Sequence, residues 1–500
     1  MKKEITILLL FMSAALFAQS TFSKRMNLDF PAVTFTSVEA NDSCFYVSGI
    51  VVDSMPPNRV GFLFAKFDWE GNLDNLNTIL DTTITLEVWN NSLTPINENF
   101  ISAGLSIDGS IMKALIMKID AAGDTIFVKT YENPVWPESP SIGIEDFHIS
   151  PNGDINSVCF MGDQTFENPY YFFKTDSLGN FISENLQFDG LDHRPYVIKP
   201  TSDNGFIIGT QRYSISIGNT HIFKTDVEGE IQWEYFSPDS IIGGGATDLH
   251  LLDDGSIVFL SSRGVEAYSG IFWEHNVNRI DADQNLLWST PFRDSFFNAP
   301  GVVLEKLILL PDNEHFVAAG TGPGYYHSYG KIIKGSFQGD SLWTRYIHHV
   351  STHFAENEIY DMEAAPDGGF ILCGKIIDFE NPTQEDPPQQ GWLLKIDEHG
   401  CLVPGCHLTT ATEELSEASF QIKTYPNPAT DYVHVYFRHS RQVVEARFQL
   451  IDIFGKVLLE FQSDHGDMTH VIPVHDLAKG GYWLQCRVGA EVLTKEILVQ

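Results

Sequence analysis

The sequence is poor in cysteine and in basic residues, and it has no apolar run of membrane-spanning length. Six cysteines in 500 residues (Cys44, Cys159, Cys373, Cys401, Cys406 and Cys486) exclude a disulfide-dense scaffold, so an apolar core has to hold the fold. Lys and Arg number 31 against 66 Asp and Glu, a net charge of −35. Such a field disfavours nucleic acid and anionic membrane surfaces as partners. The deficit is uneven: residues 420–500 carry 8 basic and 9 acidic residues, so the charge sits on the chain before them. No apolar run reaches the roughly 20 residues that cross a bilayer, so no transmembrane segment is expected in the mature chain. Gly-x-Ser-x-Gly, His-Glu-x-x-His and Gly-x-x-x-x-Gly-Lys-Ser/Thr are also missing, so no motif points to a catalytic residue or a cofactor.

What is present begins with an address. Lys2 and Lys3 precede an apolar run from Ile5 to Phe17, followed by Ala18. This charged, apolar, small-residue order predicts a secretory signal peptide over 1–18 and an exported protein.

The body of the chain repeats. Lys/Arg-x-Asp-x-x-Gly recurs seven times, two copies degenerate, with its third position at Asp68, Asp120, Asp176, Asp226, Asp281, Ser336 and Asp397. The mean spacing is (397 − 68)/6, about 55 residues. A second phrase, a polar turn followed by a β-rich run, keeps the same period and precedes the first. The last unit shows four short runs, Ile359–Ala365, Gly369–Ile377, Gly391–Ile396 and Cys401–Leu408. Short runs bounded by Gly, Pro, Asn and Asp read as strands. Four strands per unit, seven times, predict an all-β chain whose residues 19–408 form a seven-bladed β-propeller of four-stranded blades. Phe22–Leu28 is a candidate outer strand to close the ring. The Asp and Gly of the phrase are turn residues, and Phe127, Trp233, Trp288 and Trp343 are expected to pack between blades.

Both tight turns of each unit fall on one face, which leaves the variable connections on the other, where ligands are usually gripped. Arg212, Tyr213, Arg263, Tyr325, Tyr326 and His327 on those connections are the candidate ligand-binding residues, for a glycan or a protein. Arg194, Arg279, Arg293 and Arg345 are further arginines without an assigned role. The expected function is non-catalytic binding; the alternative is a polysaccharide-active hydrolase or lyase using acidic residues at the ring centre.

Cys401 and Cys406 flank a Pro-Gly turn, which favours a local disulfide. Two thiolates without two further close ligands fall short of zinc's usual four, so no metal is expected. Residues 409–422 read as a polar linker, and a β-rich module of six alternating runs follows over 423–500, expected as a small β-sandwich. It contains Tyr425-Pro426-Asn427-Pro428, Gly455-Lys456 and Gly480-Gly481-Tyr482. This module resembles the type A C-terminal sorting domain of the Bacteroidetes type IX secretion system. The resemblance implies recognition by the type IX translocon and sorting machinery after passage through the periplasm, and release or display at the outer-membrane surface.

Overall fold

The computed structural model describes residues 20–500 except 57, 82, 136–140, 163–167, 188–191, 215–216, 238–242, 268–269, 294–303, 324–327, 351–353, 381–388, 404, 408–419 and 490. The expected signal peptide and most of the expected linker lie outside the described residues.

The described chain is all β. Strand β1 (Phe22–Met26) is followed by a meander of β2 (Val33–Ala40), β3 (Phe45–Val52), β4 (Val60–Phe67) and β5 (Leu73–Ile79). The second sheet is β6 (Thr85–Ile96), β7 (Asn99–Asp108), β8 (Ile111–Asp120) and β9 (Thr125–Tyr131), and the third is β10 (Ser141–Ile149), β11 (Ile155–Gly162), β12 (Tyr170–Thr175) and β13 (Phe181–Gln187). The fourth comprises β14 (Asp192–Pro200), β15 (Phe206–Ser214), β16 (Ile217–Thr225) and β17 (Ile231–Phe236), and the fifth β18 (Gly243–Leu251), β19 (Ile257–Ala267), β20 (Gly270–Ile280) and β21 (Leu286–Arg293). Strands β22 (Leu304–Leu309), β23 (His315–Pro323), β24 (Ser328–Ser336) and β25 (Ser341–His348) form another meander, and β26 (Ala355–Ala364), β27 (Phe370–Asp378) and β28 (Gln389–Ile396) end the repeat region. The C-terminal module holds β29 (Phe420–Tyr425), β30 (Tyr432–Ile451), β31 (Val457–Pro473), β32 (Gly480–Val488) and β33 (Glu491–Val499).

These strands make a β-propeller of four-stranded blades. Small cores fill the gaps between neighbouring sheets. Val197, Ile207 and Ile222 pack against Leu249, Ile257 and Phe259 in one such layer, and Val33, Phe35 and Phe67 pack against Ile371, Cys373 and Leu393 in another. The second layer joins the first sheet to the last. There β1 pairs antiparallel with β28 as an outer strand, Phe22 opposite Lys395. Residues Cys401–Leu408 had been expected in that place. The described residues of this run are bend and turn closed by the Cys401–Cys406 disulfide, and the N-terminal segment occupies the edge.

The repeated phrases become turns as expected. Asp68 Oδ1 accepts the N–H of Glu70 and of Asn72, while Gly71 takes a φ of 72° that a Cβ would oppose. Asp120, Asp176, Asp226, Asp281 and Asp397 repeat the arrangement, and Ser336 replaces it with its hydroxyl. The aromatic positions pack between units: Trp288 Nε1 donates to the Phe337 carbonyl at 2.9 Å, and Trp343 lies against Gly400.

Two expectations are met only in part. Six four-stranded sheets stand separately, not seven; β22–β25 belong to a nine-stranded sheet with the C-terminal module, through parallel pairing of Ile347 with Thr469 and of His348 with His470. The module's six predicted runs merge as well. β30 and β31 are single long strands with register breaks between Arg438 and Ala446, and β29, β32 and β33 join the same sheet. All five strands are linked in one sheet by pairing on either side of those breaks. The bent sheet encloses Phe420, Val433, Phe437, Phe448, Leu484 and Ile497.

Candidate functional site

The innermost strands share a device that the sequence does not advertise. Register slips once in each of β2, β6, β10, β14 and β22, once in β26 and twice in β18. A bulge leaves a residue out of the ladder and re-aims its side chain. The residues so released include Glu145, Tyr196, Glu305 and Tyr360, and in β6 the whole stretch Trp89–Ser92.

Some of the neighbouring residues hold the ring together. Asp146 Oδ2 accepts the N–H of Ile198, Asp248 Oδ2 that of Leu307, and Asp361 Oδ2 that of Val38. Each buried carboxylate therefore ties its inner strand to the next. Lys306 lies at the hub of these ties, 3.1 Å from Asp361 and 3.6 Å from Glu363, and bonded to Asn91 of the long bulge. Burial would lower its pKa, but Asp361, Glu363, Asp248 and Glu39 raise it. The ammonium stays charged. Glu39 beside this hub is pushed up to about 8, chiefly by burial and then by Glu363.

The earlier part of the same strands carries a second cluster, toward the variable connections. Arg194 Nε meets Glu145 Oε1 at 3.2 Å. Glu305 is buried and pushed up to about 7, first by burial; a hydrogen bond from Asn90 and the charge of Arg194 oppose this, while Glu358 and Glu145 add to it. Glu145 likewise rises to about 7 because burial outweighs Arg194. Tyr360 donates to Glu358, and its own hydroxyl is held well above the ordinary tyrosine value by burial and by that carboxylate. Five sheets therefore send polar groups into one another's fields, and two carboxyls are poised to change charge near neutrality.

Beside Arg194 a cavity of about 350 Å³ is lined by Trp89, Phe160, Met161, Asn168, Asp192 and His193. Trp89 and Phe160 meet edge to face at 6.2 Å, and the Trp89 indole N–H is buried without an acceptor among the described residues. Asn168 Nδ2 donates to Asp192 Oδ1 at 2.8 Å. An aromatic wall with a few fixed polar groups suits a polyhydroxylated ligand. A larger cleft, of about 1170 Å³, lies between β1 and the C-terminal module, lined by Lys24, Arg25, His349, Tyr432 and His475 among others.

The sequence candidates fall unevenly around this site. Arg212 and Tyr213 are opposite His193 and Asp192 in the β14–β15 ladder, one strand outward from the cavity, and the Arg212 guanidinium lies 5.0 Å from the Phe236 ring. Arg263 is opposite Gly243 and Glu274, on the next sheet. The side chains of Tyr213 and Arg263, and Tyr325, Tyr326 and His327 entirely, lie outside the described residues. Of the unassigned arginines, Arg194 enters the site, Arg279 is engaged by Asp254 and the Phe337 carbonyl, and Arg345 faces Asp467 of the C-terminal module at 3.8 Å. Sequence reading missed Glu145, Glu305 and Trp89, because each is released by pairing between strands and carries no local motif.

The sorting-motif residues shape the module. Asn427 donates to the Glu496 carbonyl at 2.7 Å and accepts the N–H of Leu498 at 2.9 Å, which ties the motif to the last strand. The Tyr425–Pro426 and Asn427–Pro428 bonds are cis. Gly455 takes a φ of 83° and Lys456 N–H closes the same turn on Asp452. Gly480 and Gly481 open β32, and Tyr482 donates to the Ala478 carbonyl at 2.6 Å. The Cys401–Cys406 disulfide is present, and the other four cysteines are buried.

Residues 423–500 match the secretion system C-terminal sorting domain family. No curated protein matches the chain. Among solved structures, a PL25 ulvan lyase superposes with a TM-score of 0.48 at 10% identity, over 76% of this chain and 97% of that one. A prolyl endopeptidase gives 0.41 at 9% identity, over 82% and 55%. The periplasmic gluconolactonase PpgL of Pseudomonas aeruginosa gives 0.39 at 12%, over 63% and 84%.

Proposed function

We infer that the sorting domain marks the chain as cargo of the type IX secretion system, destined for the cell surface or for secretion. We propose that a signal peptide over 1–18 first delivers it to the periplasm of a Bacteroidetes cell, and that the exported body is a seven-bladed propeller in which β22–β25 form the blade shared with the sorting module. In support of that count, β22–β25 share one core layer with the fifth sheet and another with β26–β28.

The function is glycan binding at the channel mouth on the face of the variable connections. The observation that carries it is the cavity walled by Trp89 and Phe160 and edged by Asn168, Asp192, His193 and Arg194. The acidic body favours a neutral or basic polysaccharide over a polyanion. The test is a panel of neutral, basic and anionic polysaccharides on the full chain, read by calorimetry. Neutral glycan binding that falls at least about tenfold in Trp89→Ala, an aromatic contact worth about 1.4 kcal/mol or more, is the expected result. Binding untouched by Trp89→Ala and Arg194→Ala rejects this site.

One observation favours a catalytic second reading: burial raises both Glu145 and Glu305 to about 7, so that one carboxyl can hold a proton while the other is ionised near neutral pH. Release of reducing or unsaturated ends from the same panel, abolished in Glu305→Gln, would establish it.

A further inference from the structure

The disulfide turn that ends the repeat region is surrounded by metal-ligating groups. Cys401 Sγ lies 3.7 Å from His407 Nδ1. In a tetrahedral zinc site, with Zn–S of about 2.3 Å and Zn–N of about 2.0 Å, sulfur and nitrogen ligands stand about 3.5 Å apart. Asp397, Cys401 and His407 each bring a ligand atom within 4.8 Å of the other two. The backbone fixes one of these in place, since Asp397 Oδ1 accepts the N–H of His399 and of Cys401. Cys406 is already next to Cys401, with their Cα atoms 5.6 Å apart, and the Cys-x-x-x-x-Cys spacing lies within the range of zinc knuckles. The His399 ring lies tilted by 36° against His407, their centroids 3.6 Å apart.

We propose that the reduced protein binds one Zn²⁺ at this turn, through Cys401, Cys406, His407 and Asp397, and that metal and disulfide are alternative closures of the same loop. A phosphine supplies two electrons and water supplies two protons and the oxygen that leaves as phosphine oxide, so the S–S bond is broken to two thiols. Zn²⁺ then displaces both thiol protons to solvent and takes the two thiolates. The loop deserves a closure of either kind because it sits at a junction. Cys401, Val403 and Cys406 pack with Tyr436 of the sorting module, and Lys423 Nζ donates to the Gly405 carbonyl at 3.0 Å. The expectation of no metal, made on two thiolates alone, overlooked the flanking Asp397 and His407.

The test titrates Co²⁺, then Zn²⁺, into the full chain reduced anaerobically with a phosphine. One Co²⁺ per chain with a thiolate-to-cobalt charge-transfer band, displaced by Zn²⁺ and absent from the oxidised chain, is the expected result. His407→Ala keeps the disulfide and so its oxidised fold; once reduced, it should bind more than about 100-fold more weakly, beyond the loss from an outer-shell partner. Absence of stoichiometric binding by the reduced chain at micromolar metal overturns the proposal. So does full affinity in a Cys401→Ser/Cys406→Ser double variant, or a chain that unfolds on reduction and is not restored by Zn²⁺.

Discussion

Asp361 performs four tasks at one carboxylate: it accepts the Ser37 hydroxyl and the N–H of Val38 and of Met362, and it faces Lys306. Asp361→Ala would leave three buried donors short of an acceptor and a buried ammonium without its nearest carboxylate. A loss of about 3–5 kcal/mol is expected in urea unfolding, the range found when one member of a buried pair is removed. A loss below about 1 kcal/mol would show that the hub does not need it. Glu39 makes the same region sensitive to pH. Its folded value of about 8 exceeds the ordinary 4.5, so the folded chain holds this proton more tightly than the unfolded one. The associated stability is fully present below about pH 4.5 and is lost as pH rises through 8. Glu39→Gln should therefore shrink the drop in melting temperature between acid and alkaline buffer. An unaltered profile would place the titration elsewhere.

Among the elements, β1 is short yet occupies a demanding position. Ser23 Oγ accepts the Trp392 indole N–H at 2.9 Å and bonds His349 at 2.7 Å, both deeply buried. Deleting residues 20–28 removes this pairing and uncovers the edge of β28. A destabilisation of about 3 kcal/mol or more is expected from the lost apolar burial and hydrogen bonds, measured by urea unfolding, and the ring should become sensitive to limited proteolysis at its last sheet. Unchanged stability would reduce β1 to an ornament. Much of this level was legible in the sequence. Turns announce themselves because Asp and Gly have local, context-free reasons to sit where they do, as Asp176 and Gly179 show. Phe22–Leu28 was readable as an outer strand from position and pattern. The bulges were not, because Glu145 and Glu305 are released by pairing between strands, and a one-residue slip leaves no local composition behind. Cys401–Leu408 misled for the opposite reason: its apolar residues pattern as a strand, but a six-residue loop closed on itself cannot extend.

At the scale of the whole molecule, the sorting module is docked on the repeat region and its junction is rich in buried histidine. His465 Nε2 meets the Tyr329 hydroxyl at 3.0 Å, and the His465 ring stacks on Tyr346. Burial pushes His434 down to about 4 and His349 well below the usual range, so both are neutral in the folded protein. Their folded values lie below the unfolded one. The stability they carry is present above pH 6.5 and is lost as pH falls toward 4. Hydrogen exchange should therefore accelerate in residues 432–473 before it does in the sheets far from the junction as the protein is acidified. His434→Leu should move that onset to lower pH, and simultaneous loosening everywhere would exclude a junction effect.

The same long-range closure sets a timetable. Thr21 donates to the carbonyl of Leu402, 381 positions away, and β1 has no partner strand until β28 exists. On the proposed signal-peptide route, a chain threading through a membrane from its N-terminus cannot shut the ring until nearly all of the repeat region has emerged, and closing so large a loop is slow. Until then it carries one unpaired strand at each end, an open form whose lifetime is governed by the rate of transport and not by its own stability.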